Sequence, residues 1–394
     1  MTAAPVYLDH AATTPLDPRV LDGMLPFFGE AFGNPASRQH QRGQQANAAM
    51  EQARGELALM LGADPREIVF TSGATEANNL ALFGIASADA YAQAPRRLLC
   101  ATTEHHAVLD PMDALEQRGF EVVRLGVNPA GQIDLDQLEQ ELQRGLRLVS
   151  LMAANNETGS LHPVAEIGAL CRRYGALFHS DATQAVGKLP IDVDRDQIDM
   201  LSLSGHKLYG PMGIGALYLR RKRPRVRVAA QQLGGGHEGG RRSGTPNLPA
   251  IVGLGLACKL RCAEAEADEQ RIGALRDGFE ARLCEELGDV HINGGGRPRL
   301  AGHANLSFGG VDAERLLGQL SEVQASSSAA CTSAARQPSH VLRAYGLDPS
   351  RVRASVRFTL GRETDPQDLL RAGDAIVRAV LRERARGLPE SCEF

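Results

Sequence analysis

The sequence predicts an α/β protein: a mostly parallel sheet in a large unit, with a smaller α/β unit attached. Two observations carry this. Between residues 68 and 218, short apolar segments that suit strands alternate with longer segments of helical spacing. The residues in that stretch best suited to chemistry are Thr75, His105, Asn156, Asp181 and Lys207, and each falls just after an apolar segment. Ligands of such sheets bind beyond the carboxyl ends of the strands, so these residues are expected at one site.

In chain order, Tyr7–Pro15 (YLDHAATTP) is a short extended piece closed by turn residues, and Gly33–Ser37 (GNPAS) is a loop. Gln39–Leu61 has the apolar spacing and long polar residues of a helix. Ile68–Phe70 is a strand that runs into Thr71–Glu76 (TSGATE), and Ala77–Ala86 is again helical. Strand, glycine turn and helix start together present backbone N–H groups and a positive dipole end to an anion. One such turn is a weak signal, because any strand–helix loop resembles it. Beyond it the pattern predicts strands at Leu98–Ala101, Glu121–Val127 and Leu146–Met152, and helices at Val108–Arg118, Leu135–Gln143 and Val164–Tyr174. Two more strands end near Asp181 and Ser204, and Arg220–Arg227 (RRKRPRVR) reads as a solvated edge hairpin. Ile251–Leu287 reads as a long helical stretch, broken near Ala263–Asp268, that bridges to the second unit. There the expectation is strand at His303–Phe308, helix at Ala313–Leu320 and strand at Val352–Leu360. The expected division is a large domain over 16–259 and a small one from 1–15 with 260–394.

A chain of 394 residues is long enough for two cores, and 43% hydrophobic with 23% charged residues is ordinary for a soluble protein. A net charge of −4 and a pI near 6.3 argue against nucleic-acid or membrane-surface binding. No run approaches the ~20 apolar residues of a membrane span. The N-terminus has neither the basic region nor the apolar core of a secretory signal, so a cytoplasmic protein is expected. The seven cysteines are then reduced thiols. Cys258 and Cys262 would share a helix face, but no His or Cys pair lies near them and no metal site is expected.

Two segments carry the chemistry. In Leu201–Tyr218, LSLSGHKLYGPMGIGALY, an apolar run ends in Ser204-Gly205-His206-Lys207. A lysine at the end of a buried strand, its charge partly suppressed, is a nucleophilic amine able to form a Schiff base. A surface lysine on a strand-to-turn corner would look the same. Ala176–Gly187, ALFHSDATQAVG, places Asp181 26 positions before Lys207, with Gln184 three residues further on. A carboxylate beside such a lysine suits pyridoxal phosphate, whose ring nitrogen it would keep protonated; capping a following helix is the plainer use of Asp181. SDATQAVGK together with SGHKLYGPMGIGALY resembles the cysteine desulfurases, class V members of the fold-type I pyridoxal-phosphate enzymes.

The resemblance runs from YLDHAATTP to LGRET and implies further roles. Gly73, Ala74, Thr75, Ser204 and His206 would bind the cofactor phosphate, and His105, of the TEH motif, would stack on its ring and exchange protons. Asn156 would lie near the ring hydroxyl and Gln184 would belong to the same cofactor site. The RSGT motif would reach across a homodimer interface, Thr245 touching the partner's phosphate. Nearby, His237 stands where the family usually has Gln, and Gly239 where it has Arg. The Ser/Ala-rich segment of about 321–339 predicts a mobile loop, and its SSSAACTS resembles the family's SGSACTS, with Ser328 for Gly and Ala329 for Ser. Cys331 would be the thiol that takes sulfur from L-cysteine as a persulfide, leaving alanine. Arg357, assisted by Asn34, would bind the substrate carboxylate, an interaction suited to a guanidinium fork. A sulfur-acceptor protein such as an iron–sulfur scaffold is the implied partner. A selenocysteine lyase or another class V enzyme would share Lys207 and Asp181 with less use for Cys331. A non-catalytic sulfur carrier would need Cys331 but not Lys207.

Overall fold

The computed structural model describes residues 4–296, 298–327 and 338–387. Thirteen strands are present among them: β1 Val6–Tyr7, β2 Ile68–Thr71, β3 Arg97–Ala101, β4 Glu121–Leu125, β5 Leu148–Ser150, β6 Leu177–Asp181, β7 Met200–Ser204, β8 Gly215–Leu219, β9 Val290–Ile292, β10 His303–Phe308, β11 Val323–Gln324, β12 Ser326–Ser327 and β13 Ser355–Thr359. Seven of them form one sheet in the order β2-β8-β7-β6-β5-β3-β4. The neighbours from β7 across to β4 are parallel, whereas β8 runs antiparallel to both β2 and β7. The mostly parallel α/β fold expected from the alternation is therefore present.

Alternate residues of these strands enter two cores, one on each face. Leu99, Val149, Phe178 and Leu201 face the first, and Leu98, Cys100, Leu148 and Met200 the second. Burial on both faces explains why the strands read as continuous apolar runs rather than as alternating ones. A third core gathers Val6 and Leu8 with residues of 272–380, around the antiparallel order β12-β13-β10-β9 and the parallel pair β1-β11. These separate cores support the domain division at 259/260, which we propose with residues 1–15 assigned to the smaller unit.

Three expectations need correction. The helix Leu248–Leu287 is a single run of 40 residues, unbroken at 263–268. That stretch is mostly Ala and Glu, both strong helix formers, and Arg261 pairs across it with Asp268 at 2.5 Å and Glu269 at 3.3 Å. The helix bridges the cores as expected, burying Leu248 to Cys258 in one and Ile272 to Leu287 in the other. Residues 220–227 form no hairpin: β8 ends at Leu219, the segment is irregular, and Val226 is buried rather than solvated. Val352 lies in a short helix, Pro349–Arg353, whose N-terminus Asp348 caps by accepting from Ser350 N, so the final strand starts only at Ser355. Among the described residues no helix is long and apolar enough to cross a membrane.

Candidate active site

At the end of β7 the chain makes one tight turn, Gly205–Lys207, because there is no room for a side chain at its start: a Cβ on Gly205 would lie 2.9 Å from both the Ile214 side chain and the Pro211 carbonyl. The turn aims Lys207 at the N-terminal segment, where its Nζ donates to the carbonyls of Ala11 at 2.6 Å and Ala12 at 2.7 Å. That segment is strapped down on both sides. Thr14 Oγ1 donates to the His206 carbonyl at 3.0 Å, and Ala11 N donates to Thr359 Oγ1 at 2.8 Å. The His206 ring, 3.1 Å from Thr13 Oγ1 through Nδ1, is pushed down to about 4 by burial and by Lys207, so it is neutral at pH 7.

Asp181 closes β6. No helix follows it; its Oδ2 instead accepts from Asn78 Nδ2 at 2.7 Å and its Oδ1 from Thr183 N at 3.0 Å. Asn78 comes from the helix Ala74–Ser87, which begins three residues earlier than its apolar pattern suggests, directly after Gly73. That helix start carries no side-chain cap, leaving its first N–H groups to the cavity. Its approach to the sheet is tight: a Cβ on Gly215 would meet the Gly73 backbone at 2.7 Å. Glu76 in the first turn accepts from Ser72 N at 2.7 Å and from Arg242 Nε at 2.7 Å, tying the glycine-rich segment 234–247 to the same corner.

His105 caps the helix His106–Gln117, its Nδ1 accepting from Ala107 N at 3.0 Å. Burial lowers its pKa. The neutral ring, with Nδ1 occupied as acceptor, therefore holds its proton on Nε2. The preceding residue, Glu104, is fully buried and accepts from Met152 N at 2.9 Å, and burial raises its pKa well above the ordinary carboxyl value. On β13, Arg357 is buried; its Nη2 donates to Asp9 Oδ1 at 2.8 Å and its Nη1 to the Asn156 carbonyl at 3.1 Å.

These side chains surround one cavity of ≈ 520 Å³. Gly73, Ala74, Thr75, His105, Asn156, Asp181, Gln184, Ser204, His206, Lys207 and Arg357 all line it. Asn34 and Thr245 do not; both are exposed, and Asn34 caps its own turn by accepting from Ala36 N at 2.9 Å. Cys331 lies outside the described residues. Sequence reasoning missed Thr183, Asn78, Asp9 and the Ala11 and Ala12 carbonyls. Asp9 sits inside YLDHAATTP and Asn78 two residues after TSGATE, but neither motif shows what they contact.

The profile of the family described as aminotransferase class-V matches residues 6–371. The chain belongs to the class-V aminotransferases. Among its relatives in this family, the mouse cysteine desulfurase is 49% identical over 380 residues, covering 96% of this chain and 82% of that protein. Cysteine desulfurase IscS of Anaeromyxobacter sp. (strain Fw109-5) is 48% identical over 98% of this chain and 94% of its own length. The solved structure of a NifS-like protein superposes with a TM-score of 0.87 at 34% identity, covering 95% of this chain and 98% of that one.

Class-V aminotransferases are pyridoxal-phosphate enzymes, and the residues present fit that group. The cavity is lined by an uncapped helix start suited to a phosphate, by the Asp181 carboxylate and by the Lys207 amine, and by Thr183, whose buried hydroxyl has no hydrogen-bond partner among the described residues. The Gly73–Gly215 contact leaves no space for side chains where the backbone would approach an anion.

Proposed function

We propose that this class-V aminotransferase is a cysteine desulfurase, converting L-cysteine to L-alanine and taking the sulfur onto its own Cys331. The observation that carries the reading is the convergence of Lys207, Asp181, His105 and Arg357 on a single cavity, in a chain whose curated relatives at 48–49% identity are named for that activity. Pyridoxal phosphate bound there would supply an aldehyde for the substrate amine and an electron sink for the bonds broken at Cα and Cβ. The helix start at Gly73–Thr75, with Ser204 and His206, would hold its phosphate; Asp181 would hold the ring nitrogen, and Gln184, Asn156 and His105 would contact the ring. Lys207 would be the covalent attachment point.

The chain's own residues then do the rest. Arg357 orients the substrate carboxylate through its guanidinium fork; Asn34, exposed and off the cavity, is given no part in this step. Lys207, on the same cavity, would remove the Cα proton. His105, neutral with its proton on Nε2, is the acid–base partner on the same cavity. The Cys331 thiolate attacks the substrate sulfur: an S–S bond forms, the Cβ–S bond breaks, and its electron pair goes to carbon, which takes up protons to become alanine. Cysteine and thiol thus become alanine and persulfide with nothing left over.

The protein would work as a cytoplasmic homodimer, with Thr245 reaching the partner's phosphate. Support comes from the exposure of Thr245 and from the exposed Leu25, Phe28, Phe32 and Leu233, apolar surface that a second copy would cover. The persulfide would pass to an acceptor protein such as an iron–sulfur scaffold. The deciding assay follows alanine and sulfide release from L-cysteine plus a thiol reductant. Both products are expected from the wild type, and Cys331→Ala should lose them while keeping its yellow cofactor band. Equal activity in the variant would sink the assignment of Cys331.

A further inference from the structure

Gln184 is held between two lysines. Its Nε2 donates to the Ala11 carbonyl at 3.0 Å, the same oxygen that accepts from Lys207 Nζ, and its Oε1 accepts from Lys188 Nζ at 3.2 Å. The two residues are brought together by successive tight turns after β6, in which Val186 N and Leu189 N donate to the carbonyls of Ala182 and Ala185 at 2.9 Å. Lys188 in turn borders a second, much smaller cavity of ≈ 20 Å³, lined also by His10, Tyr209, Glu269 and His303. That is room for about one water molecule. The His303 Nε2 there has no hydrogen-bond partner among the described residues. Burial pushes the Lys188 ammonium down to about 8, with Glu269 opposing and Arg261 assisting, so it is still protonated at pH 7.

A primary amide can be turned end for end at almost no cost in shape, and its neighbours alone decide which end points where. An ammonium has donors and no acceptor, so it fixes Oε1 toward itself. The NH2 group must then face Ala11 and the large cavity. We propose that Lys188 is a positioning residue that sets the polarity of Gln184, committing it to act as a donor toward the cofactor cavity. A donor there recognises an anionic ring oxygen; a flipped amide would set carbonyl oxygen against it. The inference rests on the pyridoxal-phosphate reading above and concerns what makes that pocket selective for such a ring.

Its test is a double-mutant cycle read by equilibrium uptake of pyridoxal phosphate into full-length protein stripped of cofactor. Lys188→Met should weaken uptake about tenfold, the scale of one lost hydrogen bond to a charged or buried partner. Lys188→Arg should hold it within about twofold, since the cation that orients the amide is kept. In a Gln184→Ala background, Lys188→Met should change nothing further. Equal losses in both backgrounds would mean that Lys188 acts on the fold and not on Gln184, which overturns the proposal; so would wild-type uptake by Lys188→Met. If Lys188→Met does not fold because Glu269 is left with Arg261 as its one nearby cation among the described residues, the pair Lys188→Met with Glu269→Gln removes both charges and answers the same question. A wild-type protein that takes up no pyridoxal phosphate overturns the cofactor reading, and this proposal with it. Wild-type uptake that is insensitive to Lys188 overturns the polarity argument alone.

Discussion

Arg357 donates to Asp9 at 2.8 Å, and the other oxygen of Asp9 accepts from Ser326 Oγ at 2.7 Å. The guanidinium that we assign to the substrate carboxylate is thus held in place by a carboxylate 348 residues away in the chain. Asp9→Ala would leave that buried cation less compensated and its fork less well aimed. We expect KM for L-cysteine to rise about tenfold with kcat changed much less, since carboxylate binding is shared by ground state and transition state. Asp9→Asn, which keeps an acceptor, should fall between. Steady-state kinetics on the three proteins decide it; a fall in kcat at constant KM would argue that Arg357 serves the chemistry and not the carboxylate. This pair also shows where reading a sequence stops. Lys207 and Asp181 were legible because each follows a strand within a distinctive motif. Asp9, Asn78 and Lys188 were not, because their importance lies in a partner supplied by another element, and a single sequence does not print pairings.

At the scale of elements, the strand–turn–helix at Gly73 is legible because it combines an apolar strand, a glycine and a helix start. What the sequence hides is that β8 passes so close behind it. Gly215→Ala would drive a methyl against the Gly73 backbone at 2.7 Å and the Leu203 carbonyl at 2.5 Å, neither of which can swing aside as a side chain can. That substitution should lower the thermal midpoint and weaken pyridoxal-phosphate uptake together, because it displaces the helix start that would bind the phosphate. Gly55→Ala is the control: it sits within the helix Gln41–Leu61 with nothing near the added methyl. It should raise stability by about 0.5–1 kcal/mol, the usual helix preference for Ala, and leave uptake alone. Both are read by thermal melts and cofactor titration. The misjudged elements have the same explanation in reverse. The break expected at 263–268 does not form, and Arg261 spans that stretch to pair with Asp268 at its end and Glu269 just beyond it. The hairpin expected at 220–227 rested on alternation, but Arg220 and Lys222 pair with Asp194 from another segment and Val226 packs inward, so no second strand forms.

The large and small units of the molecule are joined at a charged cluster. Asp17 caps the helix Pro18–Met24, accepting from Arg19 N at 2.8 Å, and pairs with Arg362 just after β13 at 2.5 Å. Arg19 and Arg362 also reach Glu264, in the middle of the long bridging helix, at 2.6 and 3.6 Å. Arg362 lies over the Tyr209 ring, 4.3 Å from its centroid. One cluster therefore ties the start of the large core, the bridge and the last strand of the small core, and it lies a few residues from the strap that holds Lys207. Burial alone would raise the Asp17 pKa, but the hydrogen bonds from Arg19 and Arg362 outweigh it and hold the carboxyl far below the usual range. A folded-state pKa below the unfolded value means that Asp17 stabilises the fold at every pH above its unfolded pKa of about 3.9. That contribution is lost as the pH falls from there toward the folded value. Asp17→Asn should thus cost about 3 kcal/mol at pH 7, the scale of breaking a buried pair, and the gap between the two melting curves should narrow once the pH drops below about 4. Thermal scans at a fixed rate from pH 7 down to pH 3 measure it. A gap that stays constant across that range would show that the carboxylate charge is not what holds the large and small units together, and would leave the shape of the cap as the only contribution of Asp17.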